Sequence, residues 1–194
     1  MKKVLEHVKS KQVLVADSKK KMLGLYEDGK LVYCIEDVVF GKNGCSFDKV
    51  EGDGCTPLGD FPLGFAFGLE PIDLSYPYYQ ITPDAYFVSD CHSPFYNEWV
   101  WVSPIKKIYP YSYMKVSDKI SWLEAEHLSD YEKTYSYALV IEYNMYPKVL
   151  GKGSAIFLHV KNKEYTEGCV AISKEDMKFV LQWLKVNDAR IIIQ

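Results

Sequence analysis

Residues 153–177 read GSAIFLHVKNKEYTEGCVAISKEDM, a stretch that sets one histidine and one cysteine on neighbouring predicted strands. The segment 155–160 is short, apolar and preceded by glycines, and the segment 169–172 follows a polar connection. Both patterns are typical of short buried strands. We therefore expect the pairing of these two strands to decide the fold around the histidine and the cysteine.

The register of this pair determines whether the two side chains meet. In an antiparallel hairpin with Val160 opposite Gly168, His159 lies opposite Cys169 on one face. Directly opposed Cβ atoms are about 4.5–5.5 Å apart, which lets an imidazole nitrogen reach a thiol. Such a contact favours a thiolate nucleophile at neutral pH.

Alternation along the first strand assigns its two faces, because successive side chains point to opposite sides. One set is expected to fill the core: Ile156, Leu158 and Val160. The other set is expected to face a groove: Ala155, Phe157 and His159. A neutral histidine bonded to backbone is the structural alternative for this position.

Gly168 and Cys169 together suit nucleophilic chemistry. A glycine leaves the approach to the thiol open and permits a tight bend. Backbone N–H groups near the pair are candidates to stabilise an oxyanion, a contribution of roughly 2.7–4 kcal/mol per donor. The structural alternative is a buried cysteine that packs as a small hydrophobic residue.

Composition favours one globular domain and excludes some partners. The chain has 194 residues, of which 48% are hydrophobic and 25% charged, enough for a substantial core. With a net charge of −3, the chain lacks the excess of basic residues that nucleic-acid binding requires. No apolar run reaches membrane length, and the N-terminal residues Glu6, His7 and Lys9 interrupt the run that a signal peptide needs.

The cysteines indicate no disulfide framework. Their number, five, is odd, and they lack paired CxxC spacing. Cys45 and Cys55 flank a glycine-rich loop and would be able to bridge in an oxidising compartment, but separate reduced thiols are the preferred interpretation.

The rest of the chain reads as strands with a few helices. A meander is expected from Gln12 to Phe40, with a tight turn at Asp28-Gly29, and an ordered functional loop over residues 41–64. Further strands are expected at Tyr78–Ile81, Tyr86–Val88, Trp99–Val102, residues 134–144 and Arg190–Ile193. Helices are expected between Ser117 and Tyr131, with Ile120, Leu123 and Leu128 on one side, and after the N-cap Ser173, with Asp176 at the third position.

No metal site is predicted. Cys91 and His92 are adjacent, and neighbouring side chains in an extended segment point to opposite faces, which disfavours a shared zinc ion. Glu51 and Asp53 lack the spacing of a calcium loop, so hydrogen bonds that close the loop are the preferred role for both.

The stretch HVKNKEYTEGCVAI, residues 159–172, resembles the signature of the L,D-transpeptidase catalytic domain, the YkuD-like family of peptidoglycan enzymes. Upstream, EGDGCTPLGDFPL at 51–63 and PYYQITPDAYFVSDCHSPFYN at 77–97 resemble further segments of that family. The resemblance implies a mainly β fold with a few helices, a β-sandwich or barrel-like catalytic domain over residues 12–194, preceded by an N-terminal extension of residues 1–11.

The resemblance also implies an activity. The family's cysteine attacks a carbonyl in a peptidoglycan stem tetrapeptide, releases the terminal D-alanine, and passes the acyl group from a thioester to an amine. Two alternatives stay open, an L,D-carboxypeptidase in which water resolves the thioester and a silent module that binds the cell wall. No cofactor is implied. The chain is expected at the cell envelope if an export segment precedes it, and otherwise in the cytoplasm.

By resemblance, Cys169 corresponds to the nucleophile, His159 to the general base and Gly168 to the glycine beside the nucleophile. The main-chain carbonyl that orients the base would fall at Val160. The family signature has a histidine where this chain has Glu167 and often an arginine where it has Ala171, which indicates a divergent branch. The expected substrate contacts are Asp90, Tyr96, Asn97 and Glu167; Tyr-Asn before a strand is also typical of a turn fixed by its own side chains.

Overall fold

The computed structural model describes residues 10–102, 122–185 and 188–194, and strands dominate these ranges. The strands are β1 Gln12–Asp17, β2 Met22–Glu27, β3 Lys30–Ile35, β4 Cys45–Ser46, β5 Thr56–Pro57, β6 Gly59–Gly68, β7 Tyr78–Gln80, β8 Ala85–Val88, β9 Glu98–Trp101, β10 Ala125–His127, β11 Ala138–Ile141, β12 Phe157–Val160, β13 Val170–Ile172 and β14 Arg190–Ile193. Helix α1 spans Lys174–Trp183, and a 3-10 helix spans Leu128–Asp130. The prediction of a mainly β fold is confirmed.

Nine strands form one sheet in the order β13-β12-β11-β6-β14-β1-β2-β3, with β7 beside β6. The chain just after β3 returns to the opposite edge, where the N–H groups of Val39 and Ala171 each donate to the other residue's carbonyl at 2.8 Å. The two ends of the sheet therefore approach each other. The sheet twists as β-sheets generally do, and it curls into a half-barrel.

The predicted meander is present at one end of this sheet. β1 pairs with β2 and β2 with β3, both antiparallel. Asp28 and Gly29, with φ of +48° and +74°, make the turn between β2 and β3. Positive φ at both central residues is the geometry that matches the strand twist of a hairpin.

The predicted hairpin between β12 and β13 is wrong, because these strands pair in parallel. The connection does not turn back on β12. It crosses to the loop after β3, where Thr166 N–H donates to Phe40 O at 3.0 Å and Lys42 N–H donates to Thr166 O at 2.9 Å. Held there, the chain enters β13 in the same direction as β12.

Both faces of the sheet are covered around β12. On one face the core includes Leu158 and Ile172, and α1 packs against it with Met177, Val180 and Leu181. Ser173 caps α1 as predicted, since its Oγ accepts from the Asp176 N–H at 3.1 Å. On the other face lies an aromatic cluster with Phe67, Phe87 and Phe157, to which the three-stranded sheet β10-β8-β9 contributes.

The predicted helix between Ser117 and Tyr131 is wrong where the structure describes it. Ser117 and Ile120 lie outside the described residues. Leu123 is 96% exposed, and the chain then forms β10, which pairs antiparallel with β8. The edge of β8 offers backbone partners that local helical periodicity does not reveal.

Candidate active site

Cys169 and His159 lie on the same face of the curled sheet. The parallel register pairs His159 with Ala171, and Cys169 precedes Ala171 by two positions, so all three share a face. Diagonal neighbours of this kind have Cα atoms about 7–8 Å apart, within reach of a long side chain. The shared face was predicted correctly, although the direct opposition was not.

The sulfur of Cys169 is held by backbone groups of the residues before and within β12. Its S–H donates to Ala155 O at 3.2 Å, and the Phe157 N–H donates to Sγ at 3.4 Å. Burial, and then the nearby carboxyl of Glu126, raises the pKa of the Cys169 thiol to about 12, while the Phe157 N–H and Lys49 oppose the rise. The resting thiol is therefore neutral at neutral pH.

His159 is neutral as well. Burial lowers the pKa of its imidazole to about 4, against the opposing effect of the Val160 carbonyl. Nδ1 lies 2.9 Å from Val160 O, the bond expected from the family pattern. A neutral ring that donates from Nδ1 keeps its lone pair on Nε2. The expectation of a thiolate at rest is thus corrected to a neutral thiol beside a neutral base.

His159 was expected to face an open groove. It faces the aromatic cluster instead. It is 8% exposed, and the ring of Tyr135 meets it edge-on with centroids 5.9 Å apart. The Tyr135 hydroxyl donates to Glu126 Oε2. Burial raises the pKa of the Glu126 carboxyl to about 7, and its charge contributes to the raised pKa of the Cys169 thiol.

The backbone at Cys169 is fixed by two threonines. The hydroxyls of Thr56 and Thr166 donate to Cys169 O at 3.1 and 2.7 Å. The Gly168 N–H donates to Thr166 Oγ1 at 3.2 Å. That N–H is therefore occupied, which leaves the N–H of Cys169 as the backbone donor to consider for an oxyanion.

Gly168 is required for a reason other than open approach. Its φ is +146°, a region that is essentially restricted to glycine. A Cβ there would lie 3.0 Å from Cys55 O and 3.4 Å from Lys49 Nζ. Lys49 and Cys55, in the segment 41–64, thus fill the space that we expected the substrate to use, and the glycine permits their close approach. The prediction of one loop over 41–64 is wrong, because this segment contains β4, β5 and the start of β6.

Side chains in the segment 41–64 are held near the site by an ion pair and by hydrogen bonds. Lys49 has a side chain only 3% exposed, and its Nζ lies 2.8 Å from Asp53 Oδ1. Burial would raise the pKa of the Asp53 carboxyl, but hydrogen bonds from Lys49 and from two backbone N–H groups outweigh that effect and lower it. Glu51 Oε2 accepts from the hydroxyls of Tyr96 and, at 2.8 Å, Ser154. The loop-closing hydrogen bonds expected of Glu51 and Asp53 are present.

The four expected substrate contacts have internal partners. Tyr96 is fully buried and Asn97 is 2% exposed; the Asn97 amide group binds the backbone of Tyr143, Asn144 and Ala155. The Asp90 carboxylate accepts two backbone N–H groups. Glu167 is exposed and pairs with Lys42 at 2.6 Å. This geometry matches the turn-fixing alternative for Tyr96 and Asn97, and substrate contact stays a prediction for all four.

Sequence reasoning missed Glu126, Tyr135 and Lys49. Glu126 lay in a stretch interpreted as a helix, and Lys49 looks like an ordinary surface lysine before Glu51. No local pattern marks either residue, because both are brought to Cys169 by distant pairing. Thr56 lies in the stretch 51–63 that resembles the family, so a sequence signal existed for this neighbour of the site.

Cys91 and His92 do not point to opposite faces as predicted. These residues lie in a turn, not in an extended segment, and Cys91 Sγ lies 3.6 Å from His92 Nδ1. Adjacent side chains diverge in a strand, but a turn allows them to converge.

A cavity of about 310 Å³ opens near the aromatic face. Its lining includes Phe65, Trp99, Val140, Glu142 and Met145. Cys169 and His159 are not part of that lining. The candidate catalytic pair is therefore at a separate position on the sheet, and the cavity by itself does not identify the chemistry.

A sequence model of the L,D-transpeptidase catalytic domain family, YkuD, matches residues 10–193. The chain belongs to this family. Among curated proteins, no sequence matches it significantly.

Two solved structures share the fold of this L,D-transpeptidase-family chain, and a third is similar to it. The helical cell shape determining protein Pgp2 from Campylobacter jejuni has 17% identity and a TM-score of 0.50, over 94% of this chain and 47% of that one. Bd1075 from Bdellovibrio bacteriovorus has 15% identity and a TM-score of 0.50, over 95% and 48%. An L,D-transpeptidase from Mycobacterium smegmatis has 14% identity and a TM-score of 0.45, over 95% and 58%. The chain spans about half the length of the first two.

In the part of this L,D-transpeptidase-family domain that the structure describes, no helix is long and apolar enough to cross a membrane.

Proposed function

We propose that the chain catalyses acyl transfer on peptidoglycan stem peptides through a thioester on Cys169. The observation that carries the proposal is the position of His159 on the same sheet face, with Nδ1 bound to the Val160 carbonyl. Its Nε2 is then the nitrogen available to take a proton. A base oriented by a third group and placed near a nucleophile is the arrangement that thiol and hydroxyl catalysis require.

The reaction begins as the Cys169 sulfur attacks the carbonyl carbon that precedes the terminal D-alanine. His159 Nε2 takes the S–H proton in the same step. The carbonyl oxygen becomes an oxyanion, for which the Cys169 N–H is a candidate backbone donor, since the Gly168 N–H is already bonded to Thr166. As the C–N bond breaks, the histidine returns its proton to the D-alanine nitrogen, and a thioester remains. An amine then attacks the thioester, and its proton passes through His159 to the sulfur.

The neutral resting pair favours proton transfer during attack over a preformed ion pair. A thiol with a pKa near 12 beside an imidazole with a pKa near 4 stays neutral until negative charge moves onto the substrate oxygen. General-base assistance of this kind contributes typically 10²–10⁴-fold to a rate. Water in place of the amine gives the L,D-carboxypeptidase alternative from the same thioester. The peptidoglycan substrate places the proposed activity outside the cytoplasm.

Digestion of purified muropeptides with product mass analysis tests the proposal. Loss of D-alanine with cross-linked products supports transpeptidation, and loss of D-alanine with trimmed stems supports carboxypeptidation. The Cys169→Ala variant is expected to release no D-alanine, whereas the matched Cys34→Ala variant, at an exposed cysteine, keeps the wild-type rate. Release of D-alanine by Cys169→Ala would refute the nucleophile assignment.

A silent wall-binding module is the remaining alternative, since Glu167 replaces the family's histidine. Intact-mass spectrometry after treatment with a carbapenem separates the two cases. A competent thiol gains one adduct that maps to Cys169. A folded protein without that adduct and without muropeptide turnover would support the silent module.

A further inference from the structure

Three consecutive residues in the turn after β8 bring three metal-ligating atoms close together. They are Asp90, Cys91 and His92, and their ligand atoms all lie within 4.8 Å of one another. Cys91 Sγ is 3.6 Å from His92 Nδ1, and His92 Nδ1 is 3.4 Å from Asp90 Oδ1.

These separations agree with a tetrahedral zinc ion. Zinc bonds of about 2.3 Å to sulfur and about 2.0–2.1 Å to nitrogen or oxygen, at a tetrahedral angle, place sulfur and nitrogen about 3.6 Å apart and nitrogen and oxygen about 3.4 Å apart. Both observed distances match. Two of the three donor pairs therefore have the spacing that the ion would impose, and no step of the proposed reaction uses these residues.

The Asp90 carboxylate is held in place by hydrogen bonds before any metal binds. Asp90 Oδ1 accepts from the His92 N–H at 2.9 Å, and Oδ2 accepts from the Leu123 N–H at 2.8 Å. The carboxylate is therefore oriented by the backbone, and Oδ1 retains a lone pair for a metal. A pre-oriented carboxylate reduces the ordering that binding requires.

We propose that Asp90, Cys91 and His92 form a zinc-binding site. Carboxylate, thiolate and imidazole together suit zinc, which accepts all three donor types. The His92 side chain is 91% exposed, so the fourth coordination position faces solvent and takes water. The site goes beyond the proposed function, because none of its ligands takes part in the acyl transfer.

Titration of the full chain with Co²⁺ under reducing conditions, followed by competition with Zn²⁺, tests the site. Co²⁺ in a tetrahedral site with one thiolate gives visible d–d bands and a sulfur-to-cobalt charge-transfer band. We expect these bands to saturate at one equivalent and to disappear when Zn²⁺ is added. Cys91→Ser and His92→Ala, both at the surface of the turn, are expected to lower the affinity at least about tenfold.

The matched control is Cys34→Ser, which removes another exposed thiol and is expected to bind as the wild type does. Circular dichroism establishes that each variant is folded. Unchanged binding in Cys91→Ser and His92→Ala, or no saturable binding by the wild type, would overturn the site. Because the readout is metal binding, either result is independent of muropeptide turnover.

Discussion

The sulfur of Cys169 lies 3.2 Å from the carbonyl oxygen of Ala155, a residue whose φ is +52°. A non-glycine residue in this conformation is strained by about 1–3 kcal/mol unless its surroundings fix it. Here the Ala155 N–H donates to Asn97 Oδ1 at 3.1 Å. The asparagine thus holds the backbone of Ala155, the residue whose carbonyl contacts the candidate nucleophile.

Asn97→Ala is expected to lower the free energy of unfolding by at least about 2 kcal/mol. The substitution leaves the buried Ala155 N–H and the partly buried carbonyls of Tyr143 and Asn144 without this partner, and an unsatisfied buried group costs about 1–3 kcal/mol. Urea denaturation measures the stability, and the rate of iodoacetamide alkylation at Cys169 reports the freed thiol. Asn162→Ala, at an exposed site, is the control and should stay within about 0.5 kcal/mol. If Asn97→Ala is destabilised but its Cys169 is alkylated at the wild-type rate, Asn97 does not position the thiol.

His159 predicts a loss of stability in acid. Its pKa falls from 6.5 to about 4 on folding, so the unfolded chain binds the proton first. The contribution is fully present above pH 6.5 and is lost as pH falls toward 4, a change of up to about 3 kcal/mol. Urea denaturation of the wild type and of His159→Gln at several pH values measures the contribution of His159 to the free energy of unfolding. A constant difference between the two proteins from pH 7.5 to 4.5 would contradict it.

Glu126→Gln is expected to make the Cys169 thiol more reactive. Loss of the negative charge lowers the pKa of the thiol, because that charge is the second cause of its rise after burial. The alkylation rate near pH 8 should increase between about twofold and tenfold, since one pKa unit is a factor of ten in thiolate. Peptide mass mapping confines the measurement to Cys169. Glu124→Gln, at an exposed neighbour, is the control, and an equal increase in both variants would rule out a specific effect of Glu126.

Gly168→Ala is expected to lower the free energy of unfolding and to disturb the backbone beside Cys169. The new Cβ would meet Cys55 O at 3.0 Å and Ile156 Cδ1 at 3.3 Å, at a φ of +146°. Gly44 also has a positive φ, +84°, but nothing lies within 4 Å of its Cβ position. Gly44→Ala therefore measures conformational strain alone, about 1 kcal/mol. Thermal unfolding of both variants compares them, and an equal loss would show that the approach of the loop at Gly168 is not tight.

Local sequence patterns predicted much of the fold. The Asp28-Gly29 turn, the capped helix after Ser173 and most strands lie within a residue or two of their predicted bounds. These features depend on contacts within a few residues, such as positive φ at a turn or a hydroxyl that caps a helix. The stretch before Leu128 was misread because the edge of β8, distant in sequence, provides its hydrogen-bond partners.

The chemistry of the site was predicted less completely. Motif residues predicted Cys169 and His159 as catalytic residues, and that role stays a prediction, while the expected contact of the Val160 carbonyl with His159 Nδ1 is present. Side-chain alternation predicted their common face. The surroundings of the pair were not predictable, since Glu126, Tyr135 and Lys49 reach it from other parts of the chain.

The stretch 153–177 by itself determined which residues share a face, because alternation in a strand is fixed by backbone geometry. Only the tertiary structure decided that β12 and β13 run parallel, since the connection is held by Phe40 and Lys42. It also decided that Cys169 and His159 rest as neutral groups. Their protonation states depend on desolvation by the aromatic cluster, and burial is a property of the packed fold that adjacent residues do not specify.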